Sequence, residues 1–132
     1  MKPRILFVCV ENSCRSQMAE GFARLHGAGR IQAFSAGSRP SGKVNGTAVA
    51  LMKEKGVDLG LQSSKGLSEL PPGRWDAVVT MGCGDACPSL PVARRLDWAL
   101  PDPKLLPLDE FRGVRDEIEA RVKTLLAELT HA

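Results

Sequence analysis

Two thiols and a guanidinium crowd one short stretch near the start of the chain, Cys9-Val10-Glu11-Asn12-Ser13-Cys14-Arg15-Ser16. A cysteine sulfur is a nucleophile as the thiolate, and its ordinary pKa near about 8.5 falls at a helix N-terminus or beside a cation. Arg15 supplies the cation, together with a planar fork that can grip two oxygens of a phosphate-like anion. Backbone N–H groups in a tight loop that opens into a helix converge on one point, and the helix dipole adds positive potential there. A tetrahedral oxyanion fits such a cradle, with Cys9 placed to attack its central atom. Ser16 can donate its hydroxyl to the sulfur, easing its role as a leaving group, and Asn12 is assigned to holding the loop in shape. The expected oxyanion-binding loop is therefore Val10, Glu11, Asn12, Ser13, Cys14 and Arg15. Buried strand-end cysteines are common packing residues, but Arg15 and Ser16 at this spacing set Cys9 apart, whereas Cys14 reads as an ordinary loop residue.

Two sequence-distant groups complete the candidate set. Cys83 and Cys87 stand four apart in Cys83-Gly84-Asp85-Ala86-Cys87. Coiled into one helical turn, such a pair has Cα atoms about 6 Å apart, within reach of a disulfide. Zinc is an alternative, but structural sites want four ligands in closely spaced pairs and no second pair or nearby histidine is present. An inert buried pair is a third reading. Asp102, between Pro101 and Pro103, is held stiffly and can protonate a departing oxygen. A turn-forming aspartate is the plainer reading of that tripeptide, and the position after the last strand favours the catalytic one.

Positioning these groups requires strands that end where they begin. Arg4 to Val10 is apolar almost throughout, as a parallel strand covered on both faces should be. Helix follows from Ser16 to about Leu25, with Met18, Phe22 and Leu25 at helical spacing and Gly27 and Gly29 as its stop. A short strand spans Ile31 to Ser35. A second helix runs from an Asn45 cap to Lys55, with Val49 and Met52 on its buried face and Gly56 ending it. Leu59 to Gly73 reads as loop with one helical turn. Strands at Trp75 to Met81 and Arg94 to Trp98 precede the Cys83 loop and the Asp102 loop. A long amphipathic helix covers Asp109 to about Leu129, with Phe111, Val114, Ile118, Val122, Leu125 and Leu129 recurring every three or four positions. Alternating strands and helices predict a parallel α/β sheet with helices on both faces, and in such sheets working residues gather at the carboxyl ends of the strands.

With 132 residues, 43% hydrophobic and 25% charged, the chain is expected to form one domain over residues 1–132 with a single core. A net charge of +3 and no basic run interleaved with aromatics argue against nucleic acid as a partner. The opening apolar segment has strand length, too short for a signal sequence or a membrane span, so a cytoplasmic protein with no membrane partner is expected. Thiols stay reduced there, which points the four cysteines toward chemistry. No cofactor and no metal site are expected, and the protein is expected to be a monomer.

The stretch from Val8 to Gly21, with its Asn12-Ser13-Cys14-Arg15-Ser16-Gln17-Met18-Ala19-Glu20 core, closely resembles the signature of thioredoxin-coupled arsenate reductases. Those enzymes share the low-molecular-weight protein tyrosine phosphatase fold. The likeness continues through Ser35-Ala36-Gly37, Val78 to Asp85, Cys87-Pro88 and Trp98 to Pro101-Asp102-Pro103. It implies a four-stranded parallel sheet of order 2-1-3-4 flanked by helices. It also implies arsenate as substrate, with Cys9 attacking arsenate held by the loop and Arg15 while Asp102 protonates the lost oxygen. In that scheme Cys83 attacks the Cys9 sulfur and releases arsenite, and Cys87 resolves the disulfide to Cys83–Cys87. Thioredoxin then reduces that pair; a related branch uses mycothiol with a glutaredoxin-like partner.

Two departures stand out. Only three residues separate Cys83 from Cys87, fewer than in well-known members. Some members also bind potassium beside the loop through Asn, Glu, Ser and Asp. Asn12, Glu20 and Ser35 match, but Lys65 falls where the Asp belongs. The rival implied by the same fold is a tyrosine phosphatase, which needs Cys9, Arg15 and Asp102 alone. Those enzymes usually carry aromatic residues just after the Asp-Pro, where this chain has Lys104-Leu105-Leu106 and no tyrosine anywhere. A zinc or redox-sensing module is the remaining alternative.

Overall fold

The computed structural model describes residues 2–81 and 92–130. Four strands, β1 (Arg4–Cys9), β2 (Gln32–Gly37), β3 (Ala77–Thr80) and β4 (Arg95–Asp97), form one sheet in the order β2-β1-β3-β4. All three pairings are parallel, and the register sets Cys9 against Gly37 and Val8 against Thr80. The expected fold class and strand order are both met.

Strand alternation sorts the core into two clusters. Ile5, Phe7, Cys9, Ala77 and Val79 join the larger one, beneath α1 (Arg15–Gly27), α2 (Gly46–Lys53) and α3 (Leu108–Thr130). Leu6, Val8, Ala36, Trp75 and Val78 form the smaller one on the other side of β1 and β3, with Leu67 of the one-turn helix Leu67–Glu69 packed against it. Helix α3 buries Phe111, Val114, Ile118, Val122 and Leu125 as its periodicity predicts. Each side chain of this kind contributes about 1.5–3 kcal/mol when fully buried. Charge pins the same helix: buried Arg115 donates to Glu54 at 2.5 Å and to the Leu51 carbonyl at 3.0 Å. Glu119 pairs with His26 at 2.8 Å and with Lys55 at 3.3 Å.

Several element details differ from expectation. Strand β1 stops at Cys9, one residue early, because the chain turns at once into the loop. Helix α1 reaches Gly27, and the left-handed residues that end it are Ala28 (φ 44°) and Gly29 (φ 84°). Gly27 is needed for close approach instead, since a Cβ there would sit 2.4 Å from Ile31 Cγ1. Leu25 is 43% exposed, and α1 buries Met18, Ala19, Phe22 and Ala23 in its place. In α2 the Asn45 cap is present, its Oδ1 accepting from the Ala48 N–H at 3.0 Å. The buried face is Ala48, Leu51 and Met52, with Val49 half-buried. Among the described residues, no helix is long and apolar enough to cross a membrane.

Candidate active site

Peptide geometry gives the loop after β1 its polarity. The carbonyl of Val10 accepts from Arg39 N–H at 2.8 Å, that of Glu11 from Ser41 N–H at 3.0 Å, and that of Ser13 from Asn45 N–H at 3.0 Å. The Asn12 carbonyl accepts from Gln17 Nε2 at 3.0 Å. Four consecutive carbonyls are thus tied outward to neighbouring segments. In a planar trans peptide the N–H points opposite to the carbonyl, so the amides of Glu11, Asn12, Ser13 and Cys14 face the opposite side, toward a common bowl. Asn12 makes the sharp turn with φ 51°, a left-handed conformation that asparagine tolerates better than most residues. Gly37 lets β2 approach this closely, because a Cβ there would meet the Val10 oxygen at 2.5 Å and the Asn12 nitrogen at 2.9 Å.

Cys9 lies at the base of the bowl, its Sγ 2.8 Å from Ser16 Oγ. Arg15 opens α1 and is buried, donating from NH1 to the Leu100 carbonyl at 3.0 Å, with NH2 4.0 Å from Asp102 Oδ2. Asp102 caps the one-turn helix Pro103–Leu105, its Oδ1 accepting from Lys104 N–H at 3.0 Å. Lys104 Nζ reaches Glu11 Oε1 at 3.1 Å, joining that segment to the loop. Cys9, Val10, Glu11, Ser13, Cys14, Arg15, Asp102 and Lys104 together line a cavity of about 250 Å³, small enough to suit a compact anion. A larger cavity of about 570 Å³ lies behind α1, lined by Glu20, Arg24, Gln62 and Lys65 and holding no thiol. The smaller one holds the Cys9 thiol, the group expected from the sequence to act as nucleophile.

Cys14, the second thiol of the loop, is buried. Burial, then the nearby charges of Asp102 and Cys9, push its thiol up to about 12, so it stays protonated at physiological pH. A thiol that keeps its proton is a poor nucleophile.

The structure therefore brings Cys9, Arg15 and Ser16 of one stretch together with the sequence-distant Asp102, as the strand-end argument expects. Cys83 and Cys87 lie outside the described residues, and so does their expected disulfide. Behind the loop, Glu20 is buried and accepts from Ser35 Oγ at 2.5 Å and Arg24 Nε at 2.8 Å, with Lys65 Nζ 3.9 Å away. These residues do not fit a potassium ion, because an ammonium group already stands beside the carboxylate. Sequence reasoning missed Gln17 and Gln62, which brace Asn12, and the Leu100 carbonyl that holds Arg15. A glutamine two residues beyond the loop carries a weak signal in its residue type; a backbone carbonyl carries none.

Fold and loop together define a class: α/β proteins whose first strand delivers a cysteine into an anion-shaped loop at the start of the first helix. The chain belongs to the low-molecular-weight phosphotyrosine protein phosphatase family, whose model matches residues 4–132. It is 41% identical over 130 residues to the glutaredoxin arsenate reductase of Synechocystis, covering 96% of this chain and 98% of that protein. A solved arsenate reductase in its phosphate-binding state superposes with a TM-score of 0.86 at 41% identity, covering 98% of this chain and 99% of the other. The thioredoxin-dependent arsenate reductase of Corynebacterium glutamicum superposes with a TM-score of 0.77 at 30% identity, covering 97% of this chain and 62% of that one.

Proposed function

We propose that this protein is an arsenate reductase. The observation that carries the reading is the bowl of amides and Arg15 above Cys9, in a chain about 40% identical to arsenate reductases along nearly its whole length. The neighbour in its phosphate-binding state supports an oxyanion in that bowl. The Cys9 thiolate attacks arsenic of bound arsenate, and an oxygen leaves as water with a proton from Asp102. Arg15 and the loop amides carry the negative charge on the remaining oxygens. A second thiolate, Cys83, then attacks the Cys9 sulfur. The electron pair of the S–As bond goes to arsenic, which leaves as arsenite, and Cys9 and Cys83 are left joined. Cys87 attacks Cys83, freeing the Cys9 thiolate and leaving Cys83–Cys87 for an external thiol to reduce.

The reductant is a thiol protein of the thioredoxin or glutaredoxin class, both of which occur in the names of relatives. Incubation with arsenate and either reductant system, followed through NADPH consumption, separates the two. Cys9→Ser should abolish turnover, because a hydroxyl lacks the nucleophilicity and redox chemistry of a thiolate. Cys87→Ser should release about one arsenite per enzyme and stall with Cys9 and Cys83 joined, as the exchange scheme requires. Brisk aryl phosphate hydrolysis that survives Cys83→Ser, without arsenate reduction, would instead establish a phosphatase.

A further inference from the structure

We propose that Gln17, held in place by Gln62, is a positioning residue that fixes the direction of a hydrogen-bond chain ending on the Cys9 sulfur. The inference rests on the reading of Cys9 as the nucleophile and adds residues that lie outside the loop. Its geometry runs unbroken from the surface to the thiol. Gln62 Nε2 donates to Gln17 Oε1 at 2.8 Å and to the Gln17 carbonyl at 3.1 Å. Gln17 Nε2 donates to Asn12 Oδ1 at 2.9 Å, to the Asn12 carbonyl at 3.0 Å and to the Ser63 carbonyl at 2.9 Å. Asn12 Nδ2 donates to Ser16 Oγ at 2.8 Å, and Ser16 Oγ lies 2.8 Å from Cys9 Sγ.

The backbone dictates which way every link as far as Ser16 points. The Lys65 N–H can only donate, and it donates to Asn12 Oδ1 at 2.9 Å. The other end of the Asn12 amide is therefore its nitrogen, which must donate to Ser16. Ser16 Oγ thus accepts from Asn12, and toward a Cys9 thiolate, which has no proton to give, the Ser16 hydroxyl is the donor. The Gln17 amide is fixed by the same logic, since the carbonyls of Asn12 and Ser63 can only accept. Asn12, Ser16 and Gln17 are all 0% exposed, so water does not stand in for a lost link. Gln17 holds both the carbonyl and the side chain of Asn12, the residue in the left-handed turn. Loosening that grip frees Asn12 to rotate and lets the Ser16 hydroxyl swing away from sulfur. A hydrogen bond donated to a thiolate favours the charged form, so its loss favours the thiol.

The test measures alkylation of Cys9 by iodoacetamide as a function of pH in Gln62→Met and Gln17→Met. Tandem mass spectrometry locates the label within the tryptic peptide Ile5–Arg15. Among the described residues, the charged and titratable groups facing Cys9 are Arg15 from α1, Glu11 and Cys14 from the loop, and Asp102 and Lys104 from the segment after β4. All are retained in both variants. The pH of half-maximal labelling should rise by about half a unit in Gln62→Met, and further in Gln17→Met, with the high-pH plateau unchanged; that is roughly threefold slower labelling at acidic pH. Leu125→Ala, which thins the core where α3 lines a different cavity with Leu96 and Trp98, should lower the melting temperature and leave the profile in place. Superimposable profiles in both glutamine variants, with lowered melting temperatures, would overturn the proposal and leave these residues as packing. If Gln17→Met does not fold, Gln62→Met, at a half-buried site, decides alone. The readout needs no arsenate: shifted profiles in a protein that reduces none would support the hydrogen-bond chain and refute the proposed function.

Discussion

Replacing Lys65 with methionine asks whether this lysine stands in for a bound cation behind the oxyanion loop. Its Nζ lies 3.9 Å from Glu20 Oε1, and Glu20 is 2% exposed. At that separation two unit charges attract by about 4 kcal/mol if the effective dielectric is ~20. Three features reduce the net value. Arg24 already meets the other carboxylate oxygen, Ser35 satisfies the first, and the Lys65 side chain keeps 21% of its surface in solvent. Partly exposed pairs of this kind contribute about 1 kcal/mol, which in a domain of this size lowers the melting temperature by roughly 2–5 °C. Scanning calorimetry of Lys65→Met should show that drop. In the unsubstituted protein, exchanging potassium for sodium at fixed ionic strength should change neither melting temperature nor turnover. Lys65→Asp should acquire a potassium response, because it exchanges the ammonium group beside Glu20 Oε1 and Ser35 for a carboxylate. An unchanged melting temperature in Lys65→Met, or a large potassium-specific stabilisation of the unsubstituted protein, would refute the reasoning.

Arg15→Lys should fold, yet lose about 100-fold or more in kcat/KM for arsenate, because a point charge replaces a fork aimed at two oxygens; coupled NADPH assays beside a melting curve would show it. Cys14 should resist alkylation in the native protein at pH 8 and react once denaturant is added, as peptide mapping can establish. Its thiol sits at about 12 when folded against an ordinary 9.0, so the unfolded chain gives up that proton first and stability should fall as pH climbs between those values. Glu54 behaves in the opposite sense. Hydrogen bonds from Arg112 and then Arg115 hold its carboxyl down to about 2. Its contribution is therefore present above the ordinary carboxylate range and lost as pH falls from 4.5 toward 2. Glu54→Gln should melt lower at neutral pH, and the gap should close in acid.

How much of this was legible beforehand follows from what kind of force places each part. The 3.6-residue spacing of Phe111, Val114, Ile118, Val122 and Leu125 reports burial directly, and all five are buried in α3. Leu25 and Val49 fit the same spacing yet stand at the margins of their faces, since periodicity locates a stripe but not its edges. Cys9, Arg15, Ser16 and Asp102 were readable because reactive side chains at strand ends are few and their types declare their chemistry. Strand order was not; it came from the resemblance, because four parallel strands can be wound in several orders that bury the same residues.

The least legible part is the one that shapes the bowl. Residues 9–16 carry the Cys9 thiol and the Arg15 guanidinium, but nothing within them turns four successive carbonyls outward. Arg39, Ser41 and Asn45 do that through backbone N–H groups, and Gln17 through its amide. Backbone donors leave no trace in side-chain identity, so a sequence reads them as turn and cap. Gly37 is the exception, as the residue whose missing side chain admits the Val10 carbonyl. The signature therefore specifies the candidate reacting groups, whereas the connection from β2 to α2 specifies their geometry. A chain carrying Cys9 to Ser16 unchanged but altered between Gly37 and Asn45 would keep the thiol and lose the ordered amides that receive its substrate.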